Sequence, residues 1–152
     1  MCIRDRIEQG LIRDGGLKGI SGLSGDVPVL EKAAVEGHER AQLALEAFVH
    51  EVRKMIGAYT AVLQGLDALV FSGGIGERGA RIRTRVCEGF GYLGLELDPE
   101  KNIAASGEAR ISAENSKIEV WVIPTNEERV VAREAYRLLT NTESSGNERR
   151  SL

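Results

Sequence analysis

Ala68-Leu69-Val70-Phe71-Ser72-Gly73-Gly74-Ile75-Gly76-Glu77-Arg78-Gly79 is an apolar run that breaks into four glycines within seven residues. The Leu-Val-Phe run is short and lacks polar alternation, which predicts a strand covered on both faces. The glycines predict a turn that lets a ligand approach the backbone. A helix expected from about Ala80 to Phe90 would aim its unpaired N–H groups and positive dipole end at that turn, an arrangement that receives anions. Three readings fit these letters. Gly74-x-Gly76-x-x-Gly79 with Asp98 about 20 residues on matches the dinucleotide fingerprint. The second reading is a tight strand-to-helix connection without a ligand. The third is a nucleotide-phosphate turn of another kind.

A chain of 152 residues is one ordinary domain, long enough to remove roughly 70% of its unfolded surface from water. Its 20 basic and 23 acidic side chains give a net charge of −3, which is no footprint for nucleic acid. Apolar runs are too short for a membrane span or a secretory leader, so the cytoplasm is the expected location. Cys2 and Cys87 make neither a disulfide scaffold nor a zinc spacing, and Cys87 is expected in the core. His38 and His50 are expected at surface or satisfied positions, since neither has a nearby nucleophile or metal-spaced partner.

Residues 1–6 carry three charges, show no continuity with the segment after them, and read as a non-native head. A short helix is expected over Ile7 to Asp14, ended by Gly15-Gly16. Glycines at 19, 22 and 25 predict a loop with one short extended piece from Leu17 to Asp26. Asp26 is placed to cap a helix over Val27 to Val35, with Pro28 in its first turn. From Glu39 to Leu66, Ala41, Leu45, Phe48, Val52, Met55, Tyr59, Val62 and Leu66 recur every three or four residues, which predicts a long core-packing helix. Tyr92 to Leu97 reads as a strand, and Asp98-Pro99-Glu100 as a turn opening a short helix. Arg110 to Ser112 and Lys117 to Ile123 read as paired strands. Then Pro124-Thr125-Asn126-Glu127-Glu128 opens a helix to about Leu139. The Thr125–Glu128 spacing is that of a capping box, which leaves Glu127 free at the strand's C-terminal edge. If both glutamates serve only the helix dipole, their role is structural. Asn141 to Leu152 is expected to fray. The order of elements predicts an α/β domain without repeats or an interior linker.

Taken together, Gly19-Ile-Ser-Gly22, Ser24-Gly-Asp26, Ala58-Tyr59, Gly65-Leu-Asp-Ala-Leu-Val-Phe71, Gly74-Ile-Gly-Glu77, Arg85-Val-Cys87 and Val122-Ile-Pro-Thr-Asn-Glu-Glu128 resemble the C-terminal part of an acetate kinase over about residues 7–141. The resemblance implies an incomplete ribonuclease-H-like half of the sugar kinase, Hsp70 and actin superfamily fold. It also implies phosphoryl transfer between ATP and acetate, or propionate in a close relative, with magnesium, in a homodimer. Position by position, it assigns Asp26, Val27 and Pro28 to the adenosine side. Gly74, Ile75, Gly76, Glu77 and Arg78 become the second nucleotide segment, and Glu127 the magnesium-associated carboxylate.

Two departures stand out. Val27 and Pro28 replace the family's usual aromatic or methionine and arginine, and Arg78 replaces asparagine. The family's N-terminal phosphate-binding motif and its catalytic aspartate, arginines and histidine have no counterpart here, so the resemblance implies a chain without catalytic residues that does not turn over alone. The alternatives are a non-catalytic nucleotide-binding or dimerisation module and, further off, a dinucleotide-binding domain.

Overall fold

The computed structural model describes residues 3–125, 131–133 and 135–138. Helix α1 spans Ile3–Asp14 and α2 spans Gly16–Ser21. Sequence reasoning expected a loop at α2 because of its glycines, and tertiary contacts overrule that expectation. Arg40 donates from Nε to the Ile20 carbonyl at 2.9 Å and from its guanidinium to the Gly19 carbonyl at 3.2 Å. Those two bonds satisfy carbonyls at the end of a helix too short to hold itself. Helix α3, Val27–Val35, and α4, Glu39–Leu63, form as expected, although α4 ends one turn early where Gln64 turns left-handed. His38 caps α4, its Nδ1 accepting from the Ala41 N–H at 3.1 Å.

The apolar stripe of α4 is only partly core. Ala41, Ala44, Leu45 and Val49 are buried, whereas Met55, Tyr59 and Val62 are exposed. Helices α2 and α3 pack against α4, and further along it Val52 and Ile56 lie partly buried against the core, while Met55, Tyr59 and Val62 stay exposed.

Strand β1, Ala68–Phe71, lies at the edge of a three-stranded sheet ordered β1-β3-β2, in which β2 is Ala109–Arg110 and β3 is Glu119–Val122. β1 runs parallel to β3, with Ala68 opposite Glu119 and Phe71 opposite Val122, while β2 pairs antiparallel. The expectation of a strand buried on both faces fails. Leu69 and Phe71 turn toward the core, while Ala68 and Val70 are exposed because nothing among the described residues covers that face. The expected strand pair near residues 110 and 120 is present. The expected strand from Tyr92 to Leu97 is instead a 3₁₀ turn over Glu88–Leu93, followed by a single bridge from Leu97 to Ser112. The buried stripe of α6, Ala80–Cys87, explains this, since Ile82, Arg83, Val86 and Cys87 continue directly into buried Phe90. Asp98 caps α7, Pro99–Ala104, accepting from the N–H groups of Glu100 and Lys101 at 3.0 Å each. The expected capping box at Thr125 and Glu128, its helix, and the tail fall largely outside the described residues.

Cys87 sits in the core, where burial pushes its thiol up from 9.0 to about 12. A thiol whose pKa is higher folded than unfolded leaves stability intact below the unfolded value. It removes stability as the pH climbs from 9.0 toward about 12. We expect iodoacetamide at pH 8 to leave Cys87 unmodified until denaturant is added, as read by peptide mass mapping. We also expect the alkaline fall in urea midpoint to be shallower in Cys87→Ala.

Candidate functional site

The two segments singled out by sequence, far apart in the chain, meet at one cleft of about 400 Å³. One wall comes from the start of α3, where Asp26, Val27, Pro28 and Glu31 line it. The other comes from α5, Gly73–Arg78, through Gly74, Ile75 and Arg78, with Gly79 just beyond. The glycines therefore form a short helix rather than an open turn. Gly73 enters it with φ +70°, a left-handed conformation that side chains disfavour.

Not every expected residue faces the cleft in the same way. Asp26 occupies the N-cap position of α3, yet its carboxylate makes no capping bond. Its own N–H is held by Ser24 Oγ at 3.0 Å, which leaves the carboxylate on the cleft wall. Val27 is 3% exposed and belongs mainly to the core, so it anchors the α3 wall. Pro28 lies in the first turn, where its missing N–H costs nothing. Arg78 is the only cation on the cleft wall among the described residues, opposite the carboxylates of Asp26 and Glu31. Glu31 escaped the sequence reading, although it lies one turn beyond Val27 and Pro28 on the same helix face.

Gly76 and Glu77 do not line the cleft. Gly76 lets α5 settle on the end of β1, since a Cβ there would lie 3.1 Å from the Phe71 carbonyl carbon. Glu77 reaches the opposite way. Its Oε1 accepts from the Thr125 N–H at 3.0 Å and from the Thr125 hydroxyl at 3.4 Å. That bond ties α5 to the start of the Pro124-to-Glu128 segment. Glu127 itself lies outside the described residues.

Beneath α5 lies Arg83, 1% exposed and absent from the sequence-based site. Its guanidinium donates to the carbonyls of Gly76 and Glu77 at 2.8 Å each, to Asn102 Oδ1 at 2.7 Å and to the Asn102 carbonyl at 2.6 Å. Burial lowers its pKa from the ordinary arginine value. The sequence signal was present, since Arg83 occupies a position on the apolar stripe of Ile82, Val86 and Cys87. Chemically, the cleft offers carboxylates on one wall, and a guanidinium and glycine backbone on the other. It can therefore receive a ligand with hydroxyls at one end and negative charge at the other. Among the described residues no helix is long and apolar enough to cross a membrane. Nor does any group of three His, Cys, Asp or Glu gather there as a metal cage.

The profile of the Acetokinase family matches residues 2–133. The chain belongs to that family. The acetate kinase of Dictyoglomus turgidum is 51% identical over 134 residues, which cover 88% of this chain and 33% of that protein. The crystal structure of Porphyromonas gingivalis acetate kinase superimposes with a TM-score of 0.77 at 38% identity, over 86% of this chain and 33% of that one. A propionate kinase from Francisella tularensis superimposes at 0.73 and 38% identity, covering 84% and 32%. The chain thus spans about a third of the length of the relatives it matches. Its fold is that of the corresponding part of an acetate kinase, which bears out the expected class, an α/β ribonuclease-H-like half in the sugar kinase, Hsp70 and actin superfamily.

Gly76→Ala tests how tightly the site rests on the sheet. The new Cβ would press on β1 backbone, which cannot rotate away as a side chain can. We expect a loss of about 1–3 kcal/mol in urea-derived stability, the ordinary cost of overpacking. Gly10→Ala, with open space at its Cβ, serves as the control.

Proposed function

We propose that the chain forms the nucleotide- and magnesium-binding part of an acetate kinase-type phosphotransferase. In that reaction a phosphoryl group passes between ATP and acetate or propionate, giving ADP and an acyl phosphate. The observation that carries this reading is the single cleft in which Asp26, Val27 and Pro28 meet Gly74, Ile75 and Arg78. Asp26 accepts from ribose hydroxyls, and Pro28 and Ile75 offer apolar surface to the base. Arg78 and the Gly74 backbone take the phosphate end. Gly76 and Glu77 support the site from behind, through β1 and Thr125.

Magnesium neutralises charge on the phosphate oxygens when bound, and Glu127 would hold it. One carboxylate suffices, because magnesium keeps several waters and takes its remaining ligands from the nucleotide. Thr125, two residues before Glu127, is fastened to Glu77 of the glycine helix, and that contact supports a role for Glu127 at this site. Residues 7–141 form the working unit, with 142–152 outside it. Clamping the phosphoryl group in flight is left to residues this chain does not carry, so the unit binds nucleotide without transferring phosphate. This unit works in the cytoplasm as a self-associating protein. Support for association comes from apolar side chains left exposed on α1 and α4, such as Leu11 at 70% and Val62 at 78%.

Calorimetry with ADP, with and without magnesium, tests the reading. We expect saturable binding that is strengthened by the metal, together with background-level acetyl phosphate formation. Arg78→Ala should weaken ADP by about tenfold or more, in line with the loss of a charged hydrogen bond. Glu127→Gln should remove the strengthening by magnesium and leave metal-free binding unchanged. Tighter binding of NAD than ADP would overturn the proposal in favour of the dinucleotide reading. Light scattering at tens of micromolar should show a species larger than one chain.

A further inference from the structure

We propose that Arg83 is the positioning residue of this site: it touches no ligand, but its buried guanidinium holds the glycine helix α5 in the conformation the cleft requires. The inference rests on the reading of that cleft as a nucleotide site. Helix α5 has six residues, three of them glycine, so it can neither nucleate nor persist on its own backbone bonds. Its closing contact, the Gly79 N–H to the Ile75 carbonyl at 2.8 Å, leaves the last carbonyls of the helix without an internal partner. Arg83 supplies the missing donors. A single nitrogen, Nη1, bonds both Gly76 O and Glu77 O at 2.8 Å.

The guanidinium is itself held in place. Its Nε and Nη2 bond the side chain and the backbone of Asn102 on α7, at 2.7 and 2.6 Å. Asn102 in turn donates from Nδ2 to the Ala80 carbonyl at 3.0 Å and to Thr84 Oγ1 at 2.9 Å, which pins it to α6. A planar fork with donors on both sides is the one side chain that can bridge two carbonyls of α5 to an amide on α7. Cation charge at the C-terminal end of α5 also complements its dipole. Gly74, Ile75 and Arg78 of the cleft wall are carried on this same short helix. Their placement therefore follows from a residue on the far side of it.

Hydrogen exchange on the full chain decides the matter, with ADP calorimetry alongside. Arg83→Lys keeps the charge but loses the fork, and Asn102→Ala keeps the arginine but removes the side-chain half of its brace. Asn102→Ala serves as the second variant should Arg83→Lys fail to fold. In folded variants, amides of residues 77–79 should exchange about tenfold faster or more, while those of residues 44–49 in α4 stay within about twofold. ADP binding should weaken by about tenfold. Unchanged exchange at 77–79 would overturn the inference. So would equal acceleration in α4, which marks a merely structural residue, or fast exchange at 77–79 already in the unaltered chain. If the unaltered chain fails to bind ADP, the nucleotide reading falls, and the exchange data still decide whether Arg83 positions α5.

Discussion

The guanidinium of Arg83 lies in the interior with no carboxylate against it among the described residues. Burying an isolated cation costs several kcal/mol, and only a full set of acceptors offsets that cost. Here the acceptors are three backbone carbonyls and one amide oxygen, drawn from α5 and α7. The same need that satisfies the arginine therefore fastens three helices into one corner. Without that corner the glycine-rich turn after β1 would have neither the length nor the side chains to hold a shape. The ordinary apolar core of Leu30, Val86, Ile111, Val120 and Val122 packs nearby. It brings the corner and the α3–α4 pair into one body.

The cleft is built between those two parts. Its α3 wall is anchored by buried Val27 and Leu30, so the Asp26 backbone is as rigid as the core beneath it. Its α5 wall has no buried side chain of its own and depends on polar contacts from behind. A site with one wall packed and one wall hydrogen-bonded keeps its backbone free to approach a ligand. Bulky anchors on the glycine helix would fill the cleft that its lining residues leave open. Glu77 extends the polar support outward to Thr125, so the strand end and the glycine helix are registered to each other.

Much of this was legible in the residues. Periodicity located α3 and α4, proline and aspartate marked the starts of α3 and α7, and the family words brought Asp26 and Gly74 to a shared site. Local rules failed where distant groups intervened. Glycines argued against α2, but Arg40 from α4 supplied the donors that let it form. An apolar run argued for a fully buried β1, but burial on two faces requires neighbours that a strand cannot specify for itself. The stripe of α4 kept its period through Tyr59, yet Met55, Tyr59 and Val62 stay exposed while Val52 and Ile56 pack against the core.

By itself, the sequence determined the family, the periods of α3 and α4, and six of the residues that share the cleft, Asp26, Val27, Pro28, Gly74, Ile75 and Arg78. These are properties of short segments, set by side-chain volume, backbone freedom and spacing, and each can be read without knowing what lies opposite. The tertiary structure alone decided that Arg83 is buried, that Glu77 turns from the cleft toward Thr125, and that Asp26 leaves its cap unused. A charged side chain has no fixed fate in sequence. Whether it is solvated at the surface or enclosed depends on how many oxygens the folded chain brings within hydrogen-bonding distance, and those come from residues remote along the chain.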